Sequence, residues 1–530
     1  MTKINRFLLL ALVATFIFGT YGCKRDAPRM NFSFKGFIGD ALTHIPASAS
    51  MVGRIDIQAL MDKSDFEEMK DMAFYRDMVK EAESEKKIVA EMLENPELSG
   101  IDLSELMYFF AAPTENNSRE SFGGVVCKLD DATRFGTLVA AIDGMNIKEK
   151  EGYFLAIEKD GIAIGWTDDL AVIGGGKGRD FENNIVKIFN TEKDNSIATN
   201  PALKKAFAKR HDISVWAGSD ALAESVYEDM RLQLSFMGLK KKDLKDNHFN
   251  SYIDFEDGFM LADSRYLLSD ALDKEFEMLT GKEVTTDFTP YIPAENLNSA
   301  MSMALNYEGI YKKLKESGMM GLANISLSGY DLTVEDIAKT FENDLAFVSY
   351  NNGKGVVPSA LFITEIRDKK RLNQLLAIGE KMGVLSPLSG GEYRILGAGS
   401  VFDKMSGKRG TGVVRLLVDG DRMFITDRAD ILTQVKRGSF ARADRVSGKA
   451  AVVLKGHTMG MYVDAKGVEN IAEELDENYV EDVLFTVNAD KSEVIVNMLN
   501  KNQNSLKSFV EMMNEQHEKN NVEGENSLFN

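Results

Sequence analysis

Past residue 40 the hydrophobic positions fall into two kinds of pattern. Short runs such as Met107 to Ala112, Val126 to Leu129, Leu170 to Ile173 and Leu345 to Tyr350 are apolar or alternate with polar residues. That is how strands read. Between them lie stripes at helical spacing, the clearest being Phe66, Met69, Met72, Tyr75, Val79 and Ala82. This stripe breaks at Ser84-Glu85-Lys86-Lys87 and resumes at Ile88, Val89, Met92 and Leu93. Steps of three and four place side chains on one helix face, so 66–93 is predicted to form two helices or one kinked helix facing the core. Tight turns join most strands, and helices stand between groups of them. The pattern therefore predicts an α+β fold, with a mainly antiparallel sheet covered by helices on one side.

The order of these elements repeats. Ile45-Pro46-Ala47 recurs as Ile292-Pro293-Ala294, and Ile55-Asp56-Ile57 has a counterpart in Leu305-Asn306-Tyr307. Val126 to Leu129 followed by Asp131, Phe135 and Leu138 matches Ile363 to Ile366 followed by Asp368, Leu372 and Leu375. Each reads as a strand, an acidic helix cap, and apolar residues four and seven positions on. Asp160-Gly161 with Thr167-Asp168 is set against Asp419-Gly420 with Thr426-Asp427, as hairpin turns at equal spacing. His211 through Trp216 is set against His457 through Tyr462, and 259–272 against 484–499 as strand, turn and helix. Two tandem homologous halves are expected, at 41–285 and 286–513, with a polar disordered tail at 514–530.

Residues 1–22 have the anatomy of a signal peptide. Lys3 and Arg6 precede a twelve-residue apolar run over 7–18, and Gly22 stands directly before Cys23. Twelve residues fall short of the ~20 that a bilayer-spanning helix needs. A small residue before cysteine is what lipoprotein signal peptidase requires, so Cys23 is the expected site of lipid attachment, carrying palmitate or a related acyl chain. More than one acyl chain makes such an anchor stable. Residues 23–40 then form a tether. Lys24, where an aspartate would favour retention at the inner membrane, points to the outer membrane, on its periplasmic or cell-surface face.

Composition narrows the chemistry. The 530 residues carry a net charge of −19, which becomes −21 without the signal, since that segment holds two basic side chains and no acid. So acidic a chain is not a nucleic-acid binder working through bulk charge. Cys127, the second of two cysteines, sits in an apolar run and reads as a core residue. The five histidines, His44, His211, His248, His457 and His517, are dispersed, and no zinc, serine-hydrolase or calcium-loop signature appears. Gly174-Gly175-Gly176-Lys177-Gly178 lacks the Ser or Thr of a phosphate loop and reads as a hairpin exit. The acids between Glu473 and Asp482 read as a solvated face, and Lys240-Lys241-Lys242 as a helix surface able to meet anionic headgroups. Trp166 and Trp216, the two tryptophans, fall in apolar strands. No cofactor, metal or catalytic residue is expected.

The run from Ile45-Pro46-Ala47-Ser48-Ala49-Ser50 to Ile55-Asp56-Ile57-Gln58-Ala59-Leu60-Met61-Asp62-Lys63-Ser64, with the signal and the length, resembles an uncharacterised family of Bacteroidetes lipoproteins built around a domain of unknown function. The resemblance implies an envelope location and transfers no active-site residue. The expected role is a non-catalytic envelope lipoprotein binding or scaffolding a protein or other envelope ligand. Two alternatives stand beside it: a glycan-binding surface lipoprotein of a nutrient-uptake system, and a carboxylate-based hydrolase with a site between the halves.

Overall fold

The computed structural model describes residues 40–527 apart from internal stretches, the longest being 325–332, 397–412 and 466–477. The chain forms two compact units. The first comprises 40–231, 240–269 and 500–527; the second comprises 232–239 and 270–499.

In the first unit the strands are β1 (Met51–Ile55), β2 (Met107–Thr114), β3 (Asn117–Lys128), β4 (Asn146–Lys150), β5 (Tyr153–Ile157), β6 (Ile162–Trp166), β7 (Leu170–Gly176), β8 (Ile213–Gly218), β9 (His248–Glu256) and β10 (Phe259–Leu267). All pairings are antiparallel, in the order β4-β5-β6-β7-β3-β2-β1-β8-β9-β10. The second unit has β11 (Leu297–Ala304), β12 (Phe341–Tyr350), β13 (Ser359–Ile366), β14 (Leu385–Pro387), β15 (Glu392–Ile395), β16 (Arg415–Asp419), β17 (Arg422–Thr426), β18 (Met459–Asp464), β19 (Val480–Val487) and β20 (Lys491–Met498). Its order is β14-β15-β16-β17-β13-β12-β11-β18-β19-β20, the same sequence of positions ten strands later.

The α+β class is as expected, but helices cover both faces of each sheet. Along β2 and β3, Tyr108, Phe110 and Val126 enter one buried cluster while Met107 and Cys127 enter another. Helices Phe181–Phe189 and Pro201–Ala206 bring Ile185, Ile188 and Leu203 to the first face, and helix Ala132–Ala141 brings Phe135 and Val139 to the second. β6 is the local signature of this burial, since Ala163, Ile164, Gly165 and Trp166 are all buried and none faces water. The second unit likewise has separate clusters around Phe424 and around Met423, which are neighbours on β17.

The striped region 66–93 resolves into helices Phe66–Lys70, Ala73–Glu85 and Lys87–Glu94, and Phe66, Met69, Tyr75 and Ala82 are core residues. The acidic caps form as read: Asp131 accepts from the amides of Thr133 and Arg134, and Asp368 from that of Arg371.

Three expectations need correction. Asp419-Gly420 turns between β16 and β17, whose counterpart is the turn at Thr167–Asp169 between β6 and β7. Asp160-Gly161, which lies outside the described residues, falls between β5 and β6 and so belongs to a different hairpin. An Asp-Gly turn is a purely local device and fits any hairpin. Residues 484–499 are not strand, turn and helix but lie within the β19–β20 hairpin. The tail is a helix, Ser505–Ser527, and it belongs to the first unit, so the second unit ends at Leu499 and not at 513.

That last point governs the architecture. The helix after β10, Asp270–Leu279, packs in the second unit on helix Tyr307–Glu316; the helix after β20, Ser505–Ser527, packs in the first unit on helix Ile57–Ser64. Each unit is thus closed by the helix that follows the last strand of the other. Val510 is 1% exposed in the first unit's core, and Lys507 Nζ reaches Asp65 at 3.0 Å and Glu68 at 2.5 Å. In the second unit a Cβ on Gly309 would lie 1.8 Å from the Met278 carbonyl oxygen, so glycine alone permits this approach. Gly309→Ala is expected to cost about 1–3 kcal/mol by overpacking, read as a fall in the urea midpoint. Removing 505–530 is expected to expose amides of helix Ile57–Ser64 and of β9 to hydrogen exchange, while those of β12 and β13 stay protected.

Candidate functional site

Of the residues singled out, Cys23 lies outside the described residues. Cys127 is 1% exposed, and burial pushes its thiol up to about 12, the environment of a packing residue. Trp166 and Trp216 are each 3% exposed: Trp166 is stacked on Phe154 and meets Phe135 edge-on, and Trp216 is stacked on His248. Neither offers a face to a sugar. Gly174, Gly175 and Gly176 lie within β7, where a Cβ on Gly174 would fall 2.7 Å from the Phe122 ring. Close packing explains Gly174, while Lys177 and Gly178 lie outside the described residues. Among the described residues no cluster of three or more His, Cys, Asp or Glu is placed to hold a metal.

The densest buried charge lies in the first unit, where β1 passes into helix Ile57–Ser64. Arg54 is fully buried on β1. Its guanidinium donates to the Phe207 carbonyl at 2.9 Å, to Ser214 Oγ at 3.3 Å and to the Lys209 carbonyl, and it stacks on the Phe207 ring. Burial lowers its pKa to about 10, so it remains charged at neutral pH. Asp56 caps the helix through the Ala59 amide and pairs with Arg210. Asp212 accepts from Lys63 Nζ at 2.7 Å and from the Phe255 amide at 2.7 Å, while Asp254 takes the Asp212 amide at 3.1 Å and lies 2.7 Å from His211 Nδ1. Burial drives the Asp212 carboxyl upward despite Lys63. Burial opposes but does not prevent a lowering at Asp254, where the His211 hydrogen bond prevails.

A His–Asp pair beside a Lys–Asp pair is a constellation that proton-transfer sites use, but these groups tie β8, β9 and the first helix to one another. His211 is stacked on Tyr252 with ring centres 3.8 Å apart. The second unit places His457, Thr458 and Asn488 at the corresponding register, with no carboxylate. The sequence pointed to His211 but not to Arg54, because a lone arginine in a five-residue strand carries no signal that its carbonyl partners lie some 150 residues away. Arg54→Ala leaves buried acceptors unpaired and is expected to cost about 3 kcal/mol or more, measured by chemical denaturation.

The second unit has an open cavity of about 610 Å³ beside the N-terminus of helix Lys369–Lys381, lined by Glu308, Lys339, Arg367, Asp368, Lys369, Arg371 and Asp421 among others. Its charges are matched. Arg367 pairs with Glu308 and Glu342, Lys369 with Asp421 at 2.7 Å, Arg371 with Asp368 at 3.3 Å, and Lys339 with Glu335. With each cation so neutralised, the site offers no excess field to an anion. Elsewhere in this unit Glu392, 8% exposed, binds Arg415 at 2.8 Å and Lys436 at 2.5 Å. Burial acts against its charge, but the two cations hold its carboxyl below the usual range. Stability from this pair is present above the unfolded carboxyl's value, about 4.3, and is lost as the pH falls through the lower folded one. Between pH 5 and 3 the wild type's urea midpoint is therefore expected to fall more steeply than that of Glu392→Gln.

The comparison that decides the family is a match to "Domain of unknown function (DUF4836)" over residues 43–388. The chain belongs to the DUF4836 family. That span begins just before β1 and ends after β14, so it takes in most of the first unit and the opening strands of the second. No curated protein matches this DUF4836 chain. Among solved structures, crystal form I of TP0453 aligns at 9% identity over 44% of this chain and 80% of that one, with a TM-score of 0.26. Crystal form III aligns at 9% over 47% and 90%, with a TM-score of 0.27. At those scores the likeness says nothing about what the chain does.

Proposed function

We propose that this DUF4836 protein is a non-catalytic lipoprotein of a Gram-negative envelope, of the Bacteroidetes type, held at the outer membrane through acylated Cys23. Its two-unit body binds or scaffolds an envelope ligand. The observation that carries the reading is the order Lys3 and Arg6, twelve apolar residues, then Gly22-Cys23. The run is too short to remain as a spanning helix and ends at the residue that diacylation requires. Helix Ser505–Ser527, the longest among the described residues, is not apolar enough to cross a membrane either. A binding role accords with the placement of the ionic groups: Arg54, Asp212, Asp254 and Glu392 are occupied in holding strands and helices together. Glycan capture on tryptophan platforms draws no support from two tryptophans buried to 3%.

Cells expressing the full chain and fed an alkyne-tagged palmitate are expected to label the protein and hold it in the membrane pellet. Cys23→Ser is expected to lose the label and accumulate unprocessed precursor. A wild-type chain without label, or a serine variant that keeps it, would overturn the anchor. For the binding role, photo-crosslinking of the anchored chain in cells is expected to yield one dominant envelope partner. A smear without a discrete partner counts against it.

A further inference from the structure

Among the described residues large apolar side chains are exposed at several places, and one end of the first unit's sheet carries a group of them. The short helix Ala223–Asp229 presents Val226 at 36% and Met230, its C-terminal cap, at 45% exposed on successive turns. Leu267, at 58%, ends β10 opposite His248, the first residue of β9. These positions share one end of the fold. β8 runs out at Gly218 beside His248, Ser219 donates to the Asn247 carbonyl at 3.0 Å, and Ser269 Oγ donates to the Asp243 carbonyl at 2.8 Å. Soluble surfaces rarely gather apolar side chains in this way.

The same end carries cations. Arg231, Lys240, Lys242 and Lys245 are exposed, while Lys241 pairs with Glu224. Acids are present as well: Asp243 accepts from the Lys240 amide, Asp220 from the Asp246 amide, and Glu228 and Asp229 lie on the helix itself. The end is thus close to charge balance in a chain whose net charge is −19. The stretch between β18 and β19, the corresponding place in the second unit, contrasts with it. Residues 466–477 hold one lysine and five acids.

The chain also enters the fold here. Met51 opens β1 opposite Ala217, the Ser50 carbonyl accepts from Gly218, and Ala41, Leu42 and Ile45 share a cluster with Phe110, Ala112 and Phe122. Helix Ala223–Asp229 and the turn Asp40–His44 both pack on β3. Cys23 precedes residue 40 by seventeen residues, which reach no further than about 60 Å fully extended.

We propose that this end of the first unit is a bilayer-facing surface, at which Val226, Met230 and Leu267 enter the interface while Arg231, Lys240 and Lys242 meet anionic headgroups. It rests on the reading of Cys23 as the anchor, which makes a bilayer the neighbour always within reach. Apolar insertion beside basic side chains is how peripheral proteins hold a membrane surface.

The test separates docking from acylation. A mature chain with hexahistidine in place of Cys23 is tethered to vesicles of phosphatidylethanolamine and phosphatidylglycerol containing a nickel-chelating lipid. An environment-sensitive fluorophore sits on Met230→Cys, or on Glu256→Cys at the opposite end of β9; Cys127 is buried and stays unlabelled. The probe at 230 is expected to be quenched by a bilayer-resident quencher severalfold more than the probe at 256. Leu267→Asp with Val226→Asp should remove the difference, and Lys240→Glu with Lys242→Glu should reduce it on anionic vesicles only. Emission of buried Trp166 and Trp216 reports that each variant is folded. Equal quenching at 230 and 256 overturns the proposal. So does concentration-dependent self-association that shields residue 230 without lipid, which would assign the surface to a second copy. Palmitate labelling of Cys23 is scored separately, so loss of the anchor and loss of docking are distinct results.

Discussion

The crossing of two helices between the units constrains everything else in this chain. Neither sheet has its closing helix in sequence with its own strands. The first unit waits for Ser505–Ser527, which exists only after β20 has been made, and the second receives Asp270–Leu279 from the end of β10. A unit cut at the boundary the repeats suggest would keep the wrong helix and leave its own first helix uncovered. In the first unit that would bare the surface where Leu60, Phe255 and Leu506 meet; in the second it would strand Lys313, whose Nζ lies 2.5 Å from the Glu275 carboxylate. Two sheets of the same order are therefore parts of one covalent circuit and not separable modules. Their closing contacts have large sequence separations, a feature that slows folding.

The α+β class and the helix starts were legible from local chemistry. Asp131 and Asp368 announced their helices because an N-cap is a contact between near neighbours, and the core residues four positions on followed from helix period alone. What escaped was whatever depended on distant partners. Asp160-Gly161 and Asp419-Gly420 aligned by spacing, but pairing with β3 and β13 decides which hairpin each turn closes. Burial of both sheet faces was hidden because neighbouring strands set small residues against aromatic ones, as Gly53 of β1 facing the Phe109 ring of β2 shows. The C-terminal helix was hidden by polarity. Only its first turns bury Leu506, Val510 and Met512, and the rest reads as solvated chain.

The candidate sites were less legible, and their nature explains why. Chemistry announces itself in sequence when several groups must converge on a ligand within a short motif. Here the buried charges converge on backbone. Arg54 addresses two carbonyls, Asp212 an amide and a lysine, and Asp344 the amides of Thr285 and Thr286 together with the Thr285 hydroxyl. Such groups stabilise loops, and nothing in the residue types themselves marks them.

The two units show what that stabilisation replaces. Arg54 pairs across the sheet with Tyr108 and Ser214; at the same register Ser302 pairs with Ala346 and Gly460. In the second unit the backbone after helix Gly448–Val453 lies directly on the strand. Ser302 Oγ donates to the Leu454 carbonyl at 2.9 Å, and a Cβ on Gly460 would sit 1.6 Å from the Val453 oxygen. In the first unit the corresponding carbonyls, of Phe207 and Lys209, are bridged to the strand by a guanidinium that fills the gap. One fold thus solves the same junction by contact in one unit and by a buried cation in the other. The cation brings a solvation cost that contact avoids, and several acceptors are needed to offset it. The carboxylates of Asp56 and Asp254 add favourable charge nearby, although neither bonds Arg54 directly. The buried guanidinium of the first unit thus occupies the place that direct backbone contact takes in the second.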